Sequence, residues 1–296
     1  MQDCDTSSII ILKYNYLSFF LNNRNIMYEF SFLKIKLKII RNLVLDFSDF
    51  IIVIPARIGS TRLPNKPLLE IKGVPMILHT YNSAKKANLG TPIIVATDDH
   101  KIANIVNESG GIAIITSNNH VSGSDRIYEA IEKYDPEMKF KKIIHLQGDL
   151  PNISGELIQN LAKIIKDNKK DIATAVVKAS PDELDDPSIV KVAIAFGKDN
   201  PKLGDIGRAI YFSRACIPSG SLDVWHHIGI YAWQRSILKK FIALPASPLE
   251  KLEKLEQLRA IESRIDIHAI ITSEHPIGVD TELDLKKAEK YFNDFT

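Results

Sequence analysis

The chain has 296 residues, 45% of them hydrophobic and 25% charged, an ordinary make-up for a globular protein of one large α/β domain or two small ones. A net charge of +2, without a basic stripe carrying interleaved aromatics, speaks against nucleic acid as a partner. Cys4 and Cys216 lie too far apart in sequence to suggest a disulfide framework or a zinc site, which fits a reducing, cytoplasmic setting.

Residues 1–48 differ from the rest, being rich in Ile, Leu, Asn, Lys, Phe and Tyr. The apolar run from Ile9 is broken by Lys13, Asn15, Asn22, Asn23 and Arg24, so it is too short to cross a bilayer. Asp3 and Asp5 stand where a signal peptide would carry positive charge. This stretch is expected to be an atypical extension outside the fold, with the folded domain spanning 49–296 and no membrane partner.

From Asp49 onward, short apolar runs alternate with amphipathic segments, the pattern of an α/β protein whose sheet is covered on both faces. The expected strands are Ile51–Ile54, Ile93–Ala96, Ile112–Ile115, Ile143–Leu146, Ile172–Val177, Val190–Ala195, Ala209–Phe212, Ile228–Ala232 and Asp266–Ile271. Pro75 opens the first expected helix, through Ala87; Asp98 or Asp99 caps the second. Ser124 is expected to cap a helix through Tyr134, and Ser154 one reaching Asn168. Ser247 and Pro248 start a helix over Leu249–Ser263, with Leu252, Leu255, Leu258 and Ile261 on one face, and Thr281 caps the last. Residues 181–246 read as β-rich and are expected to form a lobe within the same domain.

The most informative stretch is IIVIPARIGSTRLPNKP, Ile51 to Pro67. A buried strand ends in a loop holding Arg57, Gly59, Ser60, Thr61, Arg62 and Lys66, stiffened by Pro55, Pro64 and Pro67. Inward backbone N–H groups with Arg and Lys beside them suit a polyphosphate. A second strand delivers Gln147, Gly148 and Asp149 to its C-terminal end, where open α/β sheets place ligands. A carboxylate there can hold Mg²⁺ through substrate phosphates, or simply cap a turn. In HVSGSDRI, His120 to Ile127, Gly123 allows close approach of a nucleotide, with Ser122 and Ser124 as hydrogen-bonding groups; Ser124 and Asp125 also read as a plain helix cap.

These motifs resemble the 3-deoxy-manno-octulosonate cytidylyltransferase (CMP-Kdo synthetase) family of sugar nucleotidylyltransferases, from about Ile51 to the C-terminus. PAR-x-x-STRLP-x-KPL, VATD ending at Asp98, SGSDR, QGD-x-P, YFSR-x-x-IP, HIGIY, SPLE…EQLR and GVDT carry the likeness. It implies a Rossmann-like nucleotide-diphospho-sugar transferase fold, a mixed, mostly parallel sheet flanked by helices, with a β-rich dimerisation lobe and a homodimer. It implies CTP and the acidic sugar Kdo as substrates, and Mg²⁺ on Asp149 and Asp280. Ala56, Arg57, Ser60, Arg62 and Lys66 would then face the phosphates, Arg57, Arg62, Lys66 and Asp149 being catalytic. Thr97, Asp98, Ser122, Gly123, Ser124, Arg126 and Gln147 would bind substrate, while Ser213, Arg214, His227, Tyr231, Glu256 and Gln257 would form the sugar-acid pocket. Read without the likeness, Tyr231 fits a core position and Glu256 a helix-surface pair with Arg259. This chain reads QGDLP where the family pattern usually reads QGDEP, so Leu150 replaces a carboxylate. The resemblance leaves open another acidic sugar, sialic acid-like or 8-amino Kdo, and a weakened nucleotide-binding paralogue.

Overall fold

The structure, a computed structural model, describes residues 46–59, 62–220 and 223–294. The expected extension falls almost wholly on residues outside these. The strands are β1 Phe50–Ala56, β2 Glu70–Ile71, β3 Val74–Pro75, β4 Ile93–Thr97, β5 Ile112–Ile115, β6 Lys142–His145, β7 Ile172–Lys178, β8 Lys191–Ala195, β9 Ile206–Ser213, β10 Trp225–Gln234 and β11 Ile267–Ile271. The helices are α1 Met76–Lys86, α2 His100–Glu108, α3 Gly123–Tyr134, α4 Gly155–Ile165, α5 Arg235–Ile242, α6 Pro248–Glu253, α7 Leu258–Glu262 and α8 Glu282–Asp294.

All strands except β2 and β3 form one sheet in the order β5-β4-β1-β6-β10-β7-β11-β9-β8. β5, β4, β1 and β6 pair in parallel, and so do β7 and β11. β10 is inserted antiparallel between β6 and β7, and β9 runs against both β11 and β8. The sheet is therefore mixed, with β10 and β9 opposing the rest. Residues 181–246 are β-rich as expected, but their strands are woven into the main sheet, with β10 near its centre. The start of β10 also pairs with β8, and the register of β10 against β7 slips between Ile228 and Tyr231.

Strands of the parallel half are apolar on both faces because both faces are covered. Ile52 and Ile54 pack with Ile77 of α1 and Leu157 and Leu161 of α4. Ile51 and Val53 pack on the other side with Ile127 and Ile131 of α3 and Phe241 of α5. A smaller cluster of Leu63, Ile71, Met76, Val279 and Ala288 joins the loop after β1 to the β2–β3 hairpin, α1 and α8. That hairpin, turned by Lys72 and Gly73 at φ 52° and 71°, was not anticipated, since two-residue strands carry no periodic signal.

Asp99 caps α2 and Ser154 caps α4, as their spacing predicts. Three expectations need correction. Pro75 precedes α1 as its cap instead of opening it. Ser122, not Ser124, caps α3 by accepting from the Asp125 N–H at 3.2 Å, so Ser124 lies inside the helix and is buried. The single helix expected over Leu249–Ser263 is two short ones, because Lys254 adopts φ 56° and stops α6. Leu252 is left 79% exposed while Leu255 and Leu258 are buried, so the leucine repeat does not mark one face. Among the described residues, no helix is long and apolar enough to cross a membrane.

Candidate active site

The parallel strands β1, β4 and β6 present their C-terminal ends along one edge of the sheet, the usual ligand edge of such sheets. A cleft of about 440 Å³ opens there. Ala56, Arg57, Arg62 and Lys66 line it from the first loop, Ser122, Gly123 and Arg126 from the start of α3, and Gln147, Gly148 and Asp149 from the end of β6. Asp280 joins them from the turn before α8. The first, second and third motifs thus meet in one place; Ser60 lies outside the described residues.

Lys66 stands at the centre of this meeting. Its Nζ donates to Asp149 Oδ2 at 2.6 Å and to Asp280 Oδ1 at 2.9 Å, so two carboxylates distant in sequence share one nitrogen. Arg62 pairs with the other oxygen of Asp280 at 2.9 Å, and Arg57 lines the cleft with its side chain exposed. Burial opposes the charge on Lys66, but the attraction of Asp149 and Asp280 outweighs it and the ammonium pKa is raised. Burial also acts against ionisation of Asp280, yet Lys66 and Arg62 hold its pKa below the ordinary value. Backbone bonds produce the convergence. The Val279 N–H donates to Asp149 O at 3.0 Å and the Ile277 N–H to Asn152 Oδ1 at 2.8 Å, fastening the GVD turn alongside QGDLP. Gly148 is required between them, because a β-carbon there would lie 2.7 Å from the Pro55 carbonyl oxygen.

Two carboxylates with room for phosphate oxygens fit Mg²⁺, which takes few protein ligands and keeps water or phosphate in the other positions. Among the described residues no group of three or more His, Cys, Asp or Glu is placed to hold a metal.

Other expected residues hold the cleft's walls. Asp98 accepts from the Ile58 N–H at 3.3 Å and pairs with Arg126 at 3.0 Å, and Arg126 also donates to Thr116 Oγ1 at 2.7 Å. This buried pair ties the first loop to α3. Thr97 is fully buried and accepts from the Asp99 N–H at 3.2 Å, so it shapes the turn into α2 and does not line the cleft. His120 and Val121, which the pattern of the third motif does not single out, do line it; His120 is bonded to Glu129, which also accepts from Ser117 and Lys133. Burial opposes ionisation of Glu129, but these donors bring its pKa down to about 2.

The residues expected to take the sugar acid do not line this cleft; they lie in two places. Ser213 and Arg214 gather around Glu253, with Ser213 Oγ donating to Oε1 at 2.9 Å and the Arg214 N–H to Oε2 at 3.1 Å. The Arg214 guanidinium is engaged with the carbonyls of Glu253 and Pro187. Tyr231, His227 and Glu256 lie behind the Gly123–Ser124 turn. Glu256 accepts from Ser124 Oγ at 3.1 Å, and the His227 ring meets Tyr231 at 5.5 Å between centroids and shares a 2.9 Å hydrogen bond with Thr174. Burial raises the pKa of Glu256 and of Tyr231, and lowers that of His227 to about 3. Gln257 is buried in the α6–α7 link, and Arg259 pairs with Glu250 at 2.6 Å, not with Glu256. Leu150 is 8% exposed and packs in the core, so its side chain points away from the carboxylates of the cleft.

A cationic loop facing two carboxylates at the ligand edge of this sheet is the arrangement that a nucleotidyltransferase needs. The family described as Cytidylyltransferase matches residues 51–267. The chain is 48% identical over 241 residues to the 3-deoxy-manno-octulosonate cytidylyltransferase of Bartonella henselae, covering 81% of this chain and 97% of that one. It is 45% identical over 242 residues to the protein of the same name from Methylorubrum extorquens strain PA1, covering 81% and 96%. The chain belongs to the 3-deoxy-manno-octulosonate cytidylyltransferase family. A solved structure of CMP:2-keto-3-deoxy-manno-octonic acid synthetase complexed with CTP superposes with a TM-score of 0.76 at 37% identity, covering 84% of this chain and all of that one. UTP-bound UGPase from Acinetobacter baumannii, at TM-score 0.61 and 14% identity, shares the fold.

Proposed function

We propose that this chain activates Kdo with CTP, giving CMP-Kdo and pyrophosphate for lipopolysaccharide biosynthesis. The anomeric 2-hydroxyl oxygen bonds to the α-phosphorus and gives its proton to solvent, while the bond from that phosphorus to the bridging oxygen breaks and pyrophosphate departs. The observation that carries this reading is the Lys66 nitrogen shared by Asp149 and Asp280 in a cleft rimmed by Arg57 and Arg62. Phosphoryl transfer of this kind asks for positioning and charge neutralisation more than covalent help. Arg57, Arg62 and Lys66 supply preorganised positive charge where pyrophosphate leaves. Mg²⁺ is the proposed cofactor; held by Asp149, Asp280 and phosphate oxygens, it would neutralise charge developing at the α-phosphoryl group. Lys66 then exchanges its carboxylate contacts for phosphate oxygens.

The reading extends to a cytoplasmic homodimer. The exposed free thiol of Cys216 supports a reducing compartment. Ile206 and Ile210, 40% and 41% exposed on β9, with Leu203 at 66%, offer an apolar face for a second copy. The test is pyrophosphate release from CTP and Mg²⁺ with Kdo, 8-amino Kdo and sialic acid in parallel. Kdo should be used with the highest kcat/KM. Preference for another acid would overturn the substrate, and release with none of them would overturn the activity.

A further inference from the structure

His145 is the last residue of β6, two before Gln147 and opposite Tyr231 of β10, so it shares the α3 face of the sheet. It is 2% exposed, and neither Nδ1 nor Nε2 has a hydrogen-bond partner. An imidazole carries at least one donor and one acceptor when neutral, and each buried group left unmade is costly, so an unpaired ring at this depth calls for an explanation. Its Nε2 lies 3.4 Å from where a β-carbon on Gly123 would stand. Gly123 lines the cleft, so only bare backbone separates the ring from it.

A second unpaired atom accompanies the first. Glu256 accepts from Ser124 through Oε2, but its buried Oε1 has no partner. The His145 and Tyr231 ring centroids are 6.0 Å apart, and burial of Tyr231 is felt together with the charge of Glu256, which places the three side chains in one neighbourhood. A carboxylate repels phosphate, so this is no extension of the triphosphate seat. An unpaired imidazole and a carboxylate with one oxygen unpaired instead match a ligand that brings several hydroxyls, each able to donate and accept.

We propose that His145 is a specificity-determining residue of the acceptor site, hydrogen-bonding one hydroxyl of the sugar acid beneath the Gly123–Ser124 turn while Glu256 takes another. This rests on the reading that a sugar acid is the acceptor. Entry of the sugar exchanges the Ser124–Glu256 hydrogen bond for contacts to the ligand.

The test measures KM for Kdo and for CTP separately in His145→Phe, His145→Leu and His145→Asn, together with thermal stability. Removing unpaired polar atoms should leave the Phe or Leu variant at least as stable as the parent, yet raise KM for Kdo tenfold or more with KM for CTP within twofold. The Asn variant, which keeps a donor and an acceptor, should recover most of that loss. Unchanged KM for Kdo in whichever apolar variant folds would overturn the proposal. Equal losses for both substrates with lowered stability would do so too, marking the ring as structural. A parent enzyme that releases no pyrophosphate with Kdo, but does with another sugar acid, would overturn the proposed substrate; the same variants then decide His145 against that acid.

Discussion

Replacing Lys66 by methionine removes the nitrogen that Asp149 and Asp280 share and leaves a side chain of similar reach. In the metal-free protein this ammonium occupies the place between the carboxylates, so a divalent cation must displace it to bind there. The Lys66 side chain is 14% exposed, while Asp149 and Asp280 are 31% and 44% exposed, so solvent screens both pairs. Part-exposed ion pairs contribute at most about 1 kcal/mol each, and displacement therefore forfeits about 1–2 kcal/mol. Without that competition, Lys66→Met should bind Mn²⁺, a paramagnetic surrogate for Mg²⁺, about five- to thirty-fold more tightly in the absence of nucleotide. Electron paramagnetic resonance titration of free Mn²⁺ reads this directly. Turnover should move the opposite way, falling about a hundredfold or more, since one preorganised contact to developing charge is worth about 2.7–4 kcal/mol. Opposite signs separate the prediction from general damage, which would weaken both. Unchanged Mn²⁺ affinity, or tightening that survives addition of Asp149→Asn, would refute the assignment of the carboxylate pair as the cation site.

Three further outcomes follow from the same geometry. Gly148→Ala sets a β-carbon against the Pro55 carbonyl, so β6 must part from β1 at the cleft; stability should fall about 1–3 kcal/mol by denaturant titration, with turnover down at least tenfold. Lys254→Gly relieves a left-handed residue that ends α6 and should stabilise the fold by about 0.5–1 kcal/mol in the same assay. His145 and His227 have pKa values lowered by burial to about 4 and about 3, whereas an unfolded histidine titrates near 6.5. As pH falls below about 6.5 the unfolded chain takes up protons that the folded chain refuses, so their contribution to stability is lost progressively down to the folded pKa values, by about 3 kcal/mol for His145 and about 5 kcal/mol for His227. His145→Phe should flatten part of that slope in urea titrations at pH 7, 6 and 5.

Much of the sheet was legible because its strands are buried on both faces and therefore appear as continuous β-branched runs bounded by caps. Ile51–Ile54 is an example; Ile112–Ile115, an edge strand only partly buried, was still legible from its isoleucines and matches its strand residue for residue. β9 and β10 proved longer than their apolar cores, since their outer residues pair through the backbone and need no apolar side chain. The phosphate end of the site was legible for a related reason: Arg57, Gln147 and Asp149 follow closely on strand ends visible in sequence, and Arg62 and Lys66 lie in the proline-stiffened loop after the first. That Asp280 would join them was not legible from pattern. It depends on the Val279–Asp149 backbone bond and on Val279 entering the Leu63 cluster, both long-range.

Several departures from local expectation fall around the Gly123–Ser124 turn and the segments packed near it. The register slip of β10 falls between Ile228 and Tyr231, and the left-handed Lys254 stops α6 just before Glu256 and Gln257. Ser124, read as a cap, turns inward to Glu256, and His145 ends its strand with an unpaired ring. A regular helix through Lys254 would have kept Glu256 on the Arg259 surface, as its spacing predicts. Each irregularity gives up a locally preferred arrangement, and together they gather polar side chains behind the cleft where an uninterrupted apolar core would pack more simply. Concentrated breaches of local preference are what a binding site imposes on an otherwise consistent fold. On that argument the acceptor site proposed above draws on both halves of the sheet, His145 from the parallel half and Tyr231 from the strand inserted against it.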